Sequence, residues 1–161
     1  MKILRLSLLL MITGLLGLSC TRGPVFEEMK LLPNDNWLRF NTLWYNYMPK
    51  EHEDTCTISL VVRYNDAIPF DVLQVMGTIH APSGEMRFRE YSIPLRDANG
   101  LPDGEVIKED TEKGKTYEKR VILRDGFVFS EEGNYRFEIE NLMGKYDNPG
   151  IVAVGVVVDR E

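Results

Sequence analysis

The six residues Tyr135-Arg136-Phe137-Glu138-Ile139-Glu140 alternate apolar and charged side chains without a break. Successive side chains of an extended strand point to opposite faces. Tyr135, Phe137 and Ile139 therefore point into a core and Arg136, Glu138 and Glu140 point out. The same constraint recurs along the chain. Ile58, Leu60, Val62 and Tyr64 share one face of their run, and Met86 and Phe88 alternate with Arg87 and Arg89. Phe70 to His80, Val121 to Leu123 and Phe127 to Phe129 are further candidates. Ile151 to Val158 is apolar on both faces, which predicts an interior strand covered on both sides.

Turn signals separate these runs: Asn65-Asp66, Pro82-Ser83-Gly84, Asn99-Gly100, Asp103-Gly104, Asp125-Gly126, Glu132-Gly133-Asn134 and Asn148-Pro149-Gly150. About eight or nine short strands so punctuated predict an all-β fold, a β-sandwich of jelly-roll type. No helix of core length, internal repeat or low-complexity segment is visible. Asn141 to Gly144 reads as a helical turn before the last strand. Ala98 to Thr116, rich in Gly, Asp, Glu and Lys, reads as a long exposed connection with at most a short hairpin, and as a first place to seek a partner surface.

The N-terminus has a separate logic. Lys2 and Arg5 precede an apolar run from Leu6 to Leu18 that ends in Leu18-Ser19-Cys20. The run is shorter than the roughly 20 apolar residues of a spanning helix, so export and cleavage are expected. A small residue before a cysteine is what lipoprotein processing needs. Residues 1–19 are thus read as a lipoprotein signal peptide, 20–24 as the lipidated Cys20 with a short tether, and 25–161 as one β-sandwich domain. Two or three acyl chains anchor a protein for practical purposes permanently. Without Lys2 and Arg5 the remaining chain carries 17 basic and 25 acidic side chains, a net of −8. Such a surface is repelled by phosphate backbones, which argues against a nucleic-acid partner. Cys56 is the one other thiol, so no intramolecular disulfide can form; beside Thr55 and Thr57 it reads as a small packed hydrophobe.

Catalysis finds little support, and no catalytic residue or cofactor is expected. There is no G-x-S-x-G elbow, H-E-x-x-H, phosphate-binding glycine loop or paired-cysteine motif. His52 and His80 are too few for an imidazole-based zinc site and read as surface or rim residues. Asp97, Asn99, Asp103 and Glu105 alternate around a glycine in the manner of a calcium loop. Pro102 interrupts that register, and an acidic turn between strands is the preferred reading. The aromatic cluster Trp37, Phe40, Trp44, Tyr45 and Tyr47 is the best binding candidate. Either the alternating set Trp37, Leu43, Tyr45 and Tyr47 packs into the sandwich, the favoured reading, or Trp37, Trp44, Tyr45 and Tyr47 offer flat rings to a sugar, with Asn41 and Asn46 at the edge.

The order of these features resembles the GldH gliding-motility lipoprotein family. The residues that carry the likeness are the cysteine followed by Val25-Phe26-Glu27-Glu28, then Leu32-Pro33-Asn34, Trp37 and Asn46-Tyr47-Met48-Pro49. Thr57 to Asn65, Ala81-Pro82-Ser83-Gly84, Leu95 to Gly100, Gly133 to Glu140 and Pro149 to Val156 complete the set. The chain departs from the family at Leu101-Pro102-Asp103-Gly104. The resemblance implies a non-enzymatic envelope lipoprotein, a structural or assembly component of gliding machinery or a related complex, with a membrane contact through its lipid and other envelope proteins as partners. Glycan binding on an aromatic platform is the alternative. Thr21 after the cysteine favours an outer-membrane anchor, and Arg22 favours the periplasmic face. Cys20→Ala is expected to release the protein from membranes without unfolding the domain; fractionation with fatty-acid labelling checks this, and continued labelling of the variant would refute the assignment.

Overall fold

The computed structural model describes residues 23–50, 55–110 and 114–161. The expected signal peptide, Cys20 and His52 lie outside them. The described residues form nine strands in two antiparallel sheets: β1 (Phe26–Leu31), β2 (Leu43–Tyr47), β3 (Thr55–Asn65), β4 (Val72–His80), β5 (Met86–Pro94), β6 (Glu105–Asp110), β7 (Gly114–Val128), β8 (Tyr135–Asn141) and β9 (Ile151–Arg160). One sheet has the order β1-β9-β3-β7-β6 and the other β2-β8-β4-β5. The pairs β1 with β9, β2 with β8, β3 with β7, and β4 with β5 alternate between the sheets. A ribbon folded at its middle and wound around a core pairs its strands in this nested way, which is the jelly roll expected from the sequence. β6 is an addition at the edge.

Alternation places the core where the sequence reading put it. Ile58, Leu60, Val62 and Tyr64 are buried with Tyr135, Phe137 and Ile139 of the facing sheet. β9 lies inside its sheet between β1 and β3, as its two apolar faces predict. Val154, Val156 and Val158 enter the core, while Ala153 and Val157 are buried on the other face. Gly155 belongs to that second face, where the Met29 side chain and the Glu28 carbonyl of β1 occupy the space a Cβ would need. The close approach of β1 to β9 therefore depends on glycine there.

Three tyrosines tie the sheets together. Tyr45 of β2 donates its hydroxyl to the Val154 carbonyl of β9 at 2.8 Å. Tyr91 of β5 donates to the Leu123 carbonyl of β7 at 2.6 Å, and Tyr64 of β3 to the Leu95 carbonyl just after β5 at 3.0 Å. A buried phenol must find an acceptor, and the facing sheet offers backbone carbonyls. At one end of the core Phe129 stacks edge-on against Tyr135 and Phe127, with ring centroids 4.9 and 4.8 Å away.

Two expectations are corrected. Asn141–Gly144 contains no helical turn: Asn141 closes β8, and its side chain accepts from the Met143 amide at 2.8 Å. Within Ala98–Thr116, residues 105–110 and 114–116 are paired strand, part of a hairpin that runs on to Glu118 with one irregularity between Val106 and Lys108. The charges that masked it are solvent-facing on both sides of an edge strand.

Burial, with the Asp103 carboxylate nearby, pushes the Tyr64 phenol up to about 12, and burial raises Tyr91 and, with Glu28, Tyr45 as well. The unfolded chain ionises its tyrosines from about pH 10. Stability is therefore expected to hold below about pH 10 and to fall as pH rises toward about 12. Tyr45→Phe is expected to cost about 1 kcal/mol at neutral pH and to flatten that alkaline fall. Urea denaturation across the pH range, followed with tyrosinate absorbance, checks both.

Candidate partner surfaces

The aromatic segment is divided by the fold rather than gathered into a platform. Trp37 and Tyr45 are fully buried. Tyr47 packs at the core margin against Phe26 and Phe129, with ring centroids 5.2 and 5.0 Å away. Trp44 lies on the outer face of the four-stranded sheet and Phe40 on a loop, so the four rings named for a sugar platform share no surface. The physical reason is the strand period: if Tyr45 points in, Trp44 must point out.

Trp37 organises one end of the sandwich. Its indole N–H donates to the Asn41 carbonyl at 2.7 Å. Its own carbonyl accepts from the side-chain amides of Asn141 and Asn148, both at 3.0 Å. Asn148, itself buried, also donates to the Lys145 carbonyl at 3.1 Å. The Trp37 amide donates to the Asn148 carbonyl at 3.2 Å and the Arg39 amide to the Tyr146 carbonyl at 2.9 Å. Loops 36–42 and 142–150 are thus fastened to each other. Backbone groups without strand partners are satisfied through buried amides instead.

That fastening presents an exposed pair. Phe40 is 78% exposed and Tyr146 56%, with ring centroids 6.1 Å apart. The Arg39 guanidinium lies over Phe40 at 5.7 Å and reaches the Gly144 carbonyl at 3.3 Å. β1 begins at the opposite end of the sandwich, because Phe26 pairs with Val158 and Leu31 with Ala153. The ten residues of β9 span the distance between the ends, roughly 33 Å. The pair therefore sits at the end remote from the start of β1. Tyr146 was not singled out in the sequence, and Asn141 and Asn148 were read there only as turn residues.

A second surface is the outer face of the sheet β2-β8-β4-β5. Here His80 Nε2 and Glu138 Oε2 are 2.7 Å apart. The Trp44 ring lies 5.4 Å from His80 and 5.3 Å from the Arg136 guanidinium. Met86 and Phe88 face solvent at 60% and 68% exposure, and Arg87 takes the inward side, over Phe127 at 5.6 Å.

The acidic loop is committed to its own backbone. Asp97 Oδ1 accepts from the amides of Asn99 at 2.8 Å and Leu101 at 2.9 Å. These bonds, that to Leu101 first, hold the Asp97 carboxyl below its usual range. Asp103 pairs with Lys119, and Glu105 is exposed. Among the described residues no group of three or more His, Cys, Asp or Glu is placed to hold a metal ion. Cys56 is buried in the core.

The profile of the GldH lipoprotein family matches residues 24–158. No curated protein matches with significance. Among solved structures the chain is similar to part of a 4-O-methyl-α-glucuronidase with specificity for decorated arabinogalactans: 12% identity, TM-score 0.44, over 85% of this chain and 18% of that one. A carbohydrate-binding module specific for non-crystalline cellulose gives 11% identity and TM-score 0.39, over 84% of this chain and 73% of that one. Dimeric latent PorU from Porphyromonas gingivalis gives 12% identity and TM-score 0.36, over 85% of this chain and 13% of that one. The chain thus spans less than a fifth of the glucuronidase.

Asn148→Ala would remove one donor from the Trp37, Lys145 and Tyr146 carbonyls, of which Trp37 keeps the Asn141 amide and Tyr146 the Arg39 backbone amide. It is expected to cost about 2 kcal/mol and to expose loops 36–42 and 142–150 to proteolysis before the sheets open. Denaturation curves and mapping of the first cleavage sites check this.

Proposed function

The chain belongs to the GldH lipoprotein family, and on that premise we propose that it is a non-enzymatic, lipid-anchored assembly component of the cell envelope, acting in gliding-motility machinery or a related complex. Family membership supports membrane anchoring. In this reading residues 1–19 are the signal peptide, and acylated Cys20 holds the domain at the outer membrane, facing the periplasm.

The observation that carries an assembly role is the Phe40–Tyr146 tip. Its anatomy is that of a protein contact: aromatic rings at the centre, and Arg39, Lys145 and Asp147 around them. Aromatic and arginine side chains supply most of the energy in such contacts. The two loops are already fastened by Trp37, Asn141 and Asn148, so little ordering is left to oppose binding. From residue 20 to Val25 the chain reaches at most about 18 Å. A tether of that length keeps one end of the sandwich near its bilayer and directs the tip away from it.

A photoreactive residue at position 145 of the tagged, lipidated protein, irradiated in its native envelope, is expected to capture the same envelope protein in replicate. Phe40→Ser with Tyr146→Ser should abolish that capture while leaving fold and membrane fractionation intact. A photoreactive residue at position 122 is the control. Capture from 122 that survives the double substitution, with none from 145, would remove the tip from the assembly role.

A further inference from the structure

The outer face of the four-stranded sheet carries two neighbouring rows of side chains, read directly from the strand register. Trp44, Glu138, Thr78 and Phe88 stand opposite one another across β2, β8, β4 and β5. Asn46, Arg136, His80 and Met86 form the next row. Each row begins at one edge of the sheet and ends at the other. We propose that these two rows form a binding trough for an extended, neutral oligosaccharide, with Trp44 and Phe88 as the stacking rings at its two ends.

The arrangement inverts that of a protein contact. Protein interfaces put apolar groups at the centre and polar groups at the rim. Here the exposed rings and Met86 stand at the edges, while the middle is polar: Thr78 is short and almost buried, and Glu138 and His80 share a 2.7 Å hydrogen bond. A sugar chain needs that order. Its C–H faces pack on rings, and its hydroxyls require donors and acceptors between them. Glu138 engages His80 through Oε2, leaving Oε1 as an acceptor, and Asn46, held at 3.1 Å by Asn134, adds an amide.

Length and charge narrow the class. Trp44 and Phe88 are separated by three strand spacings, about 14 Å, which suits a chain of several sugars rather than one. The two rows hold one carboxylate, one guanidinium and one imidazole, so no strong excess of charge calls for an acidic sugar. The indole is also held in advance, with His80 at 5.4 Å and Arg136 at 5.3 Å. Ordering a ring before binding reduces the entropy that the ligand must overcome. The trough lies on the flank of the sandwich, apart from the Phe40–Tyr146 tip, and does not depend on the assembly role.

The test is titration of the full lipidated protein in detergent micelles with chitohexaose, cellohexaose and xylohexaose, read by tryptophan fluorescence and calorimetry. Trp37 is buried and serves as an internal reference. At least one of the three is expected to give a saturable response. Trp44→Ala should weaken it at least about tenfold and the exposed Phe88→Ala about threefold to tenfold. Phe40→Ser should leave it unchanged. Thermal unfolding of each variant separates lost binding from lost fold. No saturable response to any hexasaccharide up to about 10 mM, or binding undiminished by Trp44→Ala in a folded protein, would overturn the proposal.

Discussion

Three phenolic hydroxyls reaching across the sandwich set the register of nearly everything else. Tyr45 and Tyr64 bury their rings, Tyr91 half-buries its own, and each gives the hydroxyl to a backbone carbonyl. Each contact contributes only about 1 kcal/mol, but it fixes which way its strand faces. A strand alternates sides at every residue, and a slip of one would reverse the whole strand. With Tyr45 inward, Trp44 is obliged to stand outside. With Tyr91 inward, Phe88 faces solvent and Arg87 and Arg89 take the inner parity. The exposed rings are the counterpart of the buried phenols, and neither set can move without the other.

How much of this was legible follows from where the decisive contacts lie in the chain. Tyr135–Glu140 and Ile58–Tyr64 announce themselves because their alternation is local and one face of each is buried. The edge strand β6 does not, since almost every side chain in Glu105–Asp110 is exposed and an edge with two wet faces needs no alternation. The aromatic segment gave a divided reading for another reason. Trp37 is buried because Asn148, 111 positions later, supplies the donor for its carbonyl. No window on the sequence contains both. Asn141 was misread by the same route: its amide is spent on Trp37, 104 positions away, and not on a helical turn. Met86 and Phe88 were visible as a pair, but their outward direction is decided by Tyr91.

The two candidate surfaces differ in how they are made. The tip is built by loops, and its rigidity comes from buried asparagine side chains that replace the missing ladder. The trough is built by strand register, and its rigidity comes from the sheet itself. The first tolerates change at its rim, because Lys145 and Asp147 are exposed and the Lys145 contact to Asn148 is made by its backbone carbonyl. The second does not, because Thr78 and Glu138 sit in the middle strands between paired neighbours. Substitutions should therefore drift freely around Phe40 and Tyr146 while the central residues of the trough stay restricted in size.

The pairing of β1 with β9 also has a mechanical meaning. β1 runs from the far end of the sandwich toward the tip, and six registered residue pairs join it to β9 along the way. Tension between an anchor at residue 20 and a partner held at Phe40 and Tyr146 would run along those strands. It would load the ladder in shear, with all its hydrogen bonds sharing the force at once, rather than peeling them apart one at a time. Gly155 lets Met29 lie flat against β9 and keeps that ladder in close contact. A jelly roll whose first strand is paired along its full length behaves as a stiff strut, and force applied at the start of β1 reaches the tip before it can unravel the domain.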